Sequence, residues 1–106
     1  MKQHKLLREK FRNEVFTRDN FKCKFCEVTT DLDAHHIIDR HEMPNGGYTK
    51  YNGITLCSKH HLDAEKHHIT RGKEWVEGLH PLDLYEVISS SYEKAYEESL
   101  RLTVGS

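Results

Sequence analysis

Leu7, Phe11 and Val15 recur every four residues, flanked by Leu6 and Phe16 and separated by charges. That period predicts an amphipathic helix over residues 4–18, which the turn pair Asp19-Asn20 ends. Residues 33–38, Asp-Ala-His-His-Ile-Ile, predict a short strand, and Gly53 to Leu56 a second one antiparallel to it. The stretch between them, 39–50, is rich in turn residues around Met43-Pro44-Asn45-Gly46-Gly47 and predicts a surface loop. Ser58 is a suitable N-cap for a helix from about Lys59 to His68, stopped by Arg71-Gly72. His80-Pro81 opens a C-terminal helix over 79–102, with Leu84, Ile88, Ala95, Ser99 and Leu102 on one face. The expected fold is a small α+β domain spanning 1–106. It has a basic N-terminal helix (1–20), a metal-stapled core (21–70) and the C-terminal helix.

Composition explains why a staple is expected. The chain has 106 residues, 36% hydrophobic and 31% charged, so its core is modest. Three cysteines is an odd number and argues against a closed disulfide framework. No signal-peptide pattern or membrane-length apolar run occurs, so a cytoplasmic, reducing setting without a membrane partner is expected. The net charge is −1, but residues 1–24 hold eight Lys/Arg against three acids, and the remainder is acidic. On charge alone, an ordinary solvated helix is the simpler reading of that basic head.

The candidate chemistry lies in 23–68. Cys23 and Cys26 form C-x2-C, and Cys57 and His60 form C-x2-H. Each pair makes a tight turn that aims two ligands at one point, and together they suit a closed, tetrahedral structural Zn2+. Three small buried hydrophobes is the plainer reading of the cysteines, and the paired spacing speaks against it. Consecutive helical residues point ~100° apart, so His61 turns away from the ion that His60 faces, while Glu65 shares the His61 face. In a strand His35 and His36 alternate. One natural arrangement puts His35 and His61 on a second, open metal, with His36 aimed at a substrate. His67 and His68, at the helix C-terminus, read as surface residues favoured by the dipole.

These residues resemble the HNH endonuclease, or ββα-metal nuclease, family over roughly residues 8–68. The resemblance runs through Arg18-Asp19-Asn20-Phe21-Lys22-Cys23-Lys24-Phe25-Cys26, Ala34-His35-His36-Ile37-Ile38 and Asn52-Gly53-Ile54-Thr55-Leu56-Cys57-Ser58-Lys59-His60-His61. It implies a ββα-metal core and metal-dependent hydrolysis of DNA phosphodiesters. His36 would be the general base and Asn52 the brace that holds its ring in position. His35 and His61 would hold one catalytic divalent ion that stabilises the phosphorane and the leaving group. His35 stands where Asp is more frequent, which widens the choice of ion to Mg2+, Mn2+, Ni2+, Co2+ or Zn2+. Glu65 stands where some relatives carry a further ligand. Arg40, Arg8, Arg12 and Arg18 are candidate phosphate contacts, against the plain reading of solvated arginines. A homodimer or a partner protein is expected to select the site, in a bacterial, archaeal or phage-infected cell. The competing expectations are a non-catalytic zinc-stapled DNA-binding module and an interaction domain built on the C-terminal helix.

Overall fold

In the computed structural model, which describes residues 2–102, helix α1 (Lys2–Arg18) leads into a knuckle and strand β1 (Leu32–His36). Strand β2 (Gly53–Cys57) and helix α2 (Ser58–Ile69) follow, then helices α3 (Pro81–Val87) and α4 (Tyr92–Leu100). The described residues thus form an α+β fold with four α-helices and one two-stranded antiparallel sheet. None of these helices is long and apolar enough to cross a membrane.

The strands pair from Leu32 opposite Cys57 to His36 opposite Gly53. One face of this ribbon meets α1 through buried Phe11, Val15 and Phe16, which pack on Leu32, Ala34 and Tyr48. The other side joins the larger core of Ile37, Met43, Ile54, Leu56, Ala64, Leu84, Tyr85 and Ala95. Covered on both faces, all five β2 residues are buried. Gly53 is needed for approach rather than for turning: a Cβ there would lie 2.6 Å from Phe11 and from Val15. A polar clamp fixes the same contact. Buried Asp19 accepts the Thr55 N–H at 2.9 Å and is held by Arg18 through two 2.8 Å bonds. Arg18 also donates to the Lys50 carbonyl at 2.6 Å and the Gly53 carbonyl at 2.7 Å.

The secondary structure and loops depart from the sequence expectations in three places. The C-terminal helix is broken into two. Ser89 takes a positive φ of 56°, and Ser91 caps α4 by accepting the Lys94 N–H at 3.0 Å. Serines compete with helical backbone bonds and favour caps, so a Ser-Ser-Ser run divides the helix while leaving Leu84, Ala95 and Ser99 buried. Cys57, not Ser58, occupies the N-cap position of α2, without a side-chain cap bond. Finally, the 39–50 segment is not purely surface. It winds through short 3-10 turns and buries Met43, Gly47 and Thr49.

Candidate metal centres and an adjoining cleft

Cys23 and Cys26 come from the knuckle, where Cys23 donates its N–H to Val28 and accepts from Glu27. The Lys24 N–H bonds the Thr55 carbonyl at 3.0 Å, which ties the knuckle to β2. Cys57 ends β2 and His60 lies one turn into α2. The ligand atoms of all four lie within 4.8 Å of one another. His60 Nδ1 is 3.2 Å from Cys57 Sγ and 3.6 Å from Cys23 Sγ, and Cys26 Sγ is 3.7 Å from Cys57 Sγ. Bonds of ~2.3 Å to sulfur and ~2.1 Å to nitrogen give a tetrahedron with edges of about 3.6–3.8 Å. No disulfide forms; the three cysteines are free.

The two knuckle thiols sit in different electrostatic surroundings. Burial opposes the Cys23 thiolate, but N–H groups of Phe25, Cys57 and Cys26 outweigh it and bring its pKa down to about 6. At Cys26 the Val28 N–H favours the thiolate, yet desolvation and the Cys23 and Cys57 sulfurs push the thiol up. The Cys3His group could therefore hold a structural metal such as zinc.

On the other side of β1 lies a second cluster. His35 is 1% exposed, and neither ring nitrogen has a hydrogen-bond partner. Glu65 Oε1 lies 3.3 Å from His35 Nδ1, out of hydrogen-bond alignment, and 3.3 Å from His61 Nε2. Asp33 Oδ2 is 3.3 Å from His61 Nδ1. His35, Glu65 and His68 each offer a ligand atom within 4.8 Å of the others, and the His61 ring sits edge-on 5.2 Å from His35. Burial lowers the His35 pKa, and the histidines hold the Glu65 carboxyl well below the usual carboxylate range. Glu65, then Asp33, raise that of His61 against burial.

His36 projects to the opposite face, stacked on Phe11 with centroids 4.5 Å apart and edge-on to Tyr48 at 5.0 Å. Its Nε2 is buried without a partner. Burial, followed by the charges of His35 and Arg40, pushes its pKa down to about 4, so the ring is neutral at pH 7. Asn52 is fully buried and uses all four of its side-chain bonding positions. Oδ1 accepts the Ile38 N–H at 3.1 Å and the Tyr85 hydroxyl at 2.7 Å. Nδ2 donates to the carbonyls of Ile38 at 3.1 Å and Gly47 at 3.3 Å. Gly47, at φ +64°, makes room: a Cβ would stand 2.7 Å from Asn52 Nδ2.

A cleft of about 540 Å³ lies between α1, β1 and α2. His36, His61, Glu65 and His68 line it, together with Arg8, Arg12 and Arg40. Arg18, expected from sequence as a phosphate contact, has four of its five N–H donors engaged by Asp19 and the carbonyls of Lys50 and Gly53, a structural part that the sequence did not signal.

Sequence reasoning missed His68. Far from being a surface residue, it stacks on His35 at 5.2 Å and donates from Nε2 to the His36 carbonyl at 2.8 Å. The signal was present: His61, Glu65 and His68 follow an i, i+4, i+7 stripe on α2. His67 is half-buried against His80 and Trp75. Tyr85, which reaches Asn52 from α3, carries no local signal. No protein-family model, curated protein or solved structure matches the chain.

Proposed function

We propose that the chain is a metal-dependent DNA endonuclease of the HNH type, with β1, β2 and α2 as its ββα-metal core. The observation that carries the reading is the shared cleft. A neutral His36 with an unpartnered Nε2 lines it, beside a buried His35 that has no hydrogen-bond partner and a carboxylate 3.3 Å away. A buried imidazole lacking any partner is costly, and a bound ion beside the Glu65 carboxylate would resolve it. His35 and Glu65 would hold one divalent ion; His61, against Glu65, is the expected further ligand, and His68 already offers a donor within 4.8 Å of both. When bound, that ion supplies Lewis-acid stabilisation of phosphorane charge and of the departing 3′ oxygen.

The chain's own residues do the rest. His36, neutral down to about pH 4, takes a proton from the attacking water at a ring nitrogen. Asn52 holds the Ile38 peptide through both its N–H and its carbonyl, which limits the freedom of the backbone after His36. Arg8, Arg12 and Arg40 at the cleft meet backbone phosphates without reading bases.

Nicking of supercoiled plasmid in Mg2+, Mn2+, Ni2+, Co2+ or Zn2+ tests the reading. Cleavage is expected with at least one of these ions, and its absence in all five refutes the assignment. A non-catalytic, zinc-stapled DNA-binding module would bind plasmid without nicking it. That alternative leaves the orphaned His35 unexplained.

A further inference from the structure

Asn52 is only as good a brace as its amide is fixed. Rotating the amide by half a turn would set Nδ2 against the Ile38 N–H and Oδ1 against the carbonyls of Ile38 and Gly47. The Tyr85 hydroxyl donates to Oδ1 at 2.7 Å, the shortest of the four side-chain bonds to Asn52. This contact crosses 33 positions of the chain and is fully buried. Tyr85 is itself well anchored. Pro81 begins α3, His80 caps it by accepting the Leu82 N–H at 3.1 Å, and Leu84 beside Tyr85 is 1% exposed. The adjacent turn bonds back to the same loop, Ser90 Oγ donating to the Tyr51 carbonyl at 2.9 Å.

We propose that Tyr85 is a positioning residue for the cleavage reaction, locking the Asn52 amide in the orientation that braces the backbone following His36. The inference rests on the nuclease reading. It makes α3 part of the catalytic apparatus instead of packing material. Tyr85 is not among the residues that line the cleft, and its hydroxyl bonds to Asn52. Without the hydroxyl one Oδ1 lone pair is left unpartnered in a dry site, and the Ile38 peptide gains play two residues from His36. Small displacements of a catalytic group are costly in rate because the near-attack geometry is lost.

The test compares wild type, Tyr85→Phe, Asn52→Ala and the double variant in metal-supported plasmid nicking, with kcat corrected for the folded fraction. Tyr85→Phe is expected to lose about tenfold in kcat, the effect of one buried hydrogen bond, with KM unchanged. The double variant is expected to match Asn52→Ala, since Tyr85 has no other route to the site. If Tyr85→Phe lowers the melting temperature but leaves kcat unchanged, the tyrosine only packs and the proposal is overturned. It is overturned equally if the two losses multiply. A wild type that never nicks DNA refutes the nuclease reading itself, a result distinct from either. A further measurement needs no variant. The Tyr85 hydroxyl proton and the Ile38 amide proton both point at Asn52 Oδ1, so a nuclear Overhauser contact between them is expected in the wild type. Its absence overturns the proposal even if Tyr85→Phe fails to fold.

Discussion

The two ligand clusters differ in how far their own atoms satisfy one another. In the Cys3His group four donors converge, with three of the separations between 3.2 and 3.7 Å, close to the edges of a zinc tetrahedron. In the cluster at His35 the donors are fewer, both His35 nitrogens are unpartnered, and the surroundings open into a cleft with arginines. A full donor set leaves no seat for a substrate and serves the fold. An incomplete set beside a neutral histidine leaves room for chemistry. Helix geometry produces the division: His60 and His61 are neighbours in sequence, yet one faces sulfur and the other Glu65.

Substitutions in the first cluster have the largest expected effect. Replacing Cys57 by Ser removes a ligand common to two of the short contacts, and with it zinc affinity that is folding energy, about 10 kcal/mol or more in small zinc domains. Circular dichroism is expected to show an unfolded chain without zinc. If the proposed nuclease reading holds, substitution at His36 should leave the fold and both ligand clusters intact while lowering kcat by about 10²–10⁴-fold, measured as single-turnover plasmid nicking. A variant that unfolds would place His36 among the structural residues instead.

Acid should separate the clusters further. Glu65 and Asp33 raise the His61 pKa above 6.5. A protonated imidazole cannot ligate, so if His61 is a ligand of the proposed cleft metal, affinity should be full above that raised value and fall as pH drops through it, about tenfold per unit. His36 stays neutral to about pH 4, so the acid limb of the proposed activity should follow metal binding. Titration calorimetry with Mn2+ across pH 5.5–8 checks this; flat affinity would mean that His61 plays no part. The smallest effects distinguish the arginines. Arg40→Ala should reduce the salt dependence of DNA binding by about one phosphate contact without changing stability. Arg18→Ala should do the reverse, costing about 1–3 kcal/mol in denaturant melts because buried Asp19 loses its partner.

Local spacing made the first cluster legible from sequence. C-x2-C and C-x2-H each work within one turn, and the strand–loop–strand–helix order followed from short-range patterning. The stripe of Phe11 and Val15 correctly marked the face of α1 that lies on the sheet. What escaped notice depends on tertiary contact. Nothing near Tyr85 points to Asn52, and Arg18 reads like any other basic residue of the head until Gly53 lies beneath it. The break before α4 was visible as three serines but was outweighed by the apolar face that continues across it.

The division of labour is tested most directly by metal content. Wild type and His35→Ala are treated with a mild chelator, returned to Mn2+ and analysed by native mass spectrometry. Wild type is expected to retain one zinc and take up one manganese, and His35→Ala to retain the zinc and take up no manganese. Equal manganese in both proteins, or loss of zinc from His35→Ala, would contradict the account.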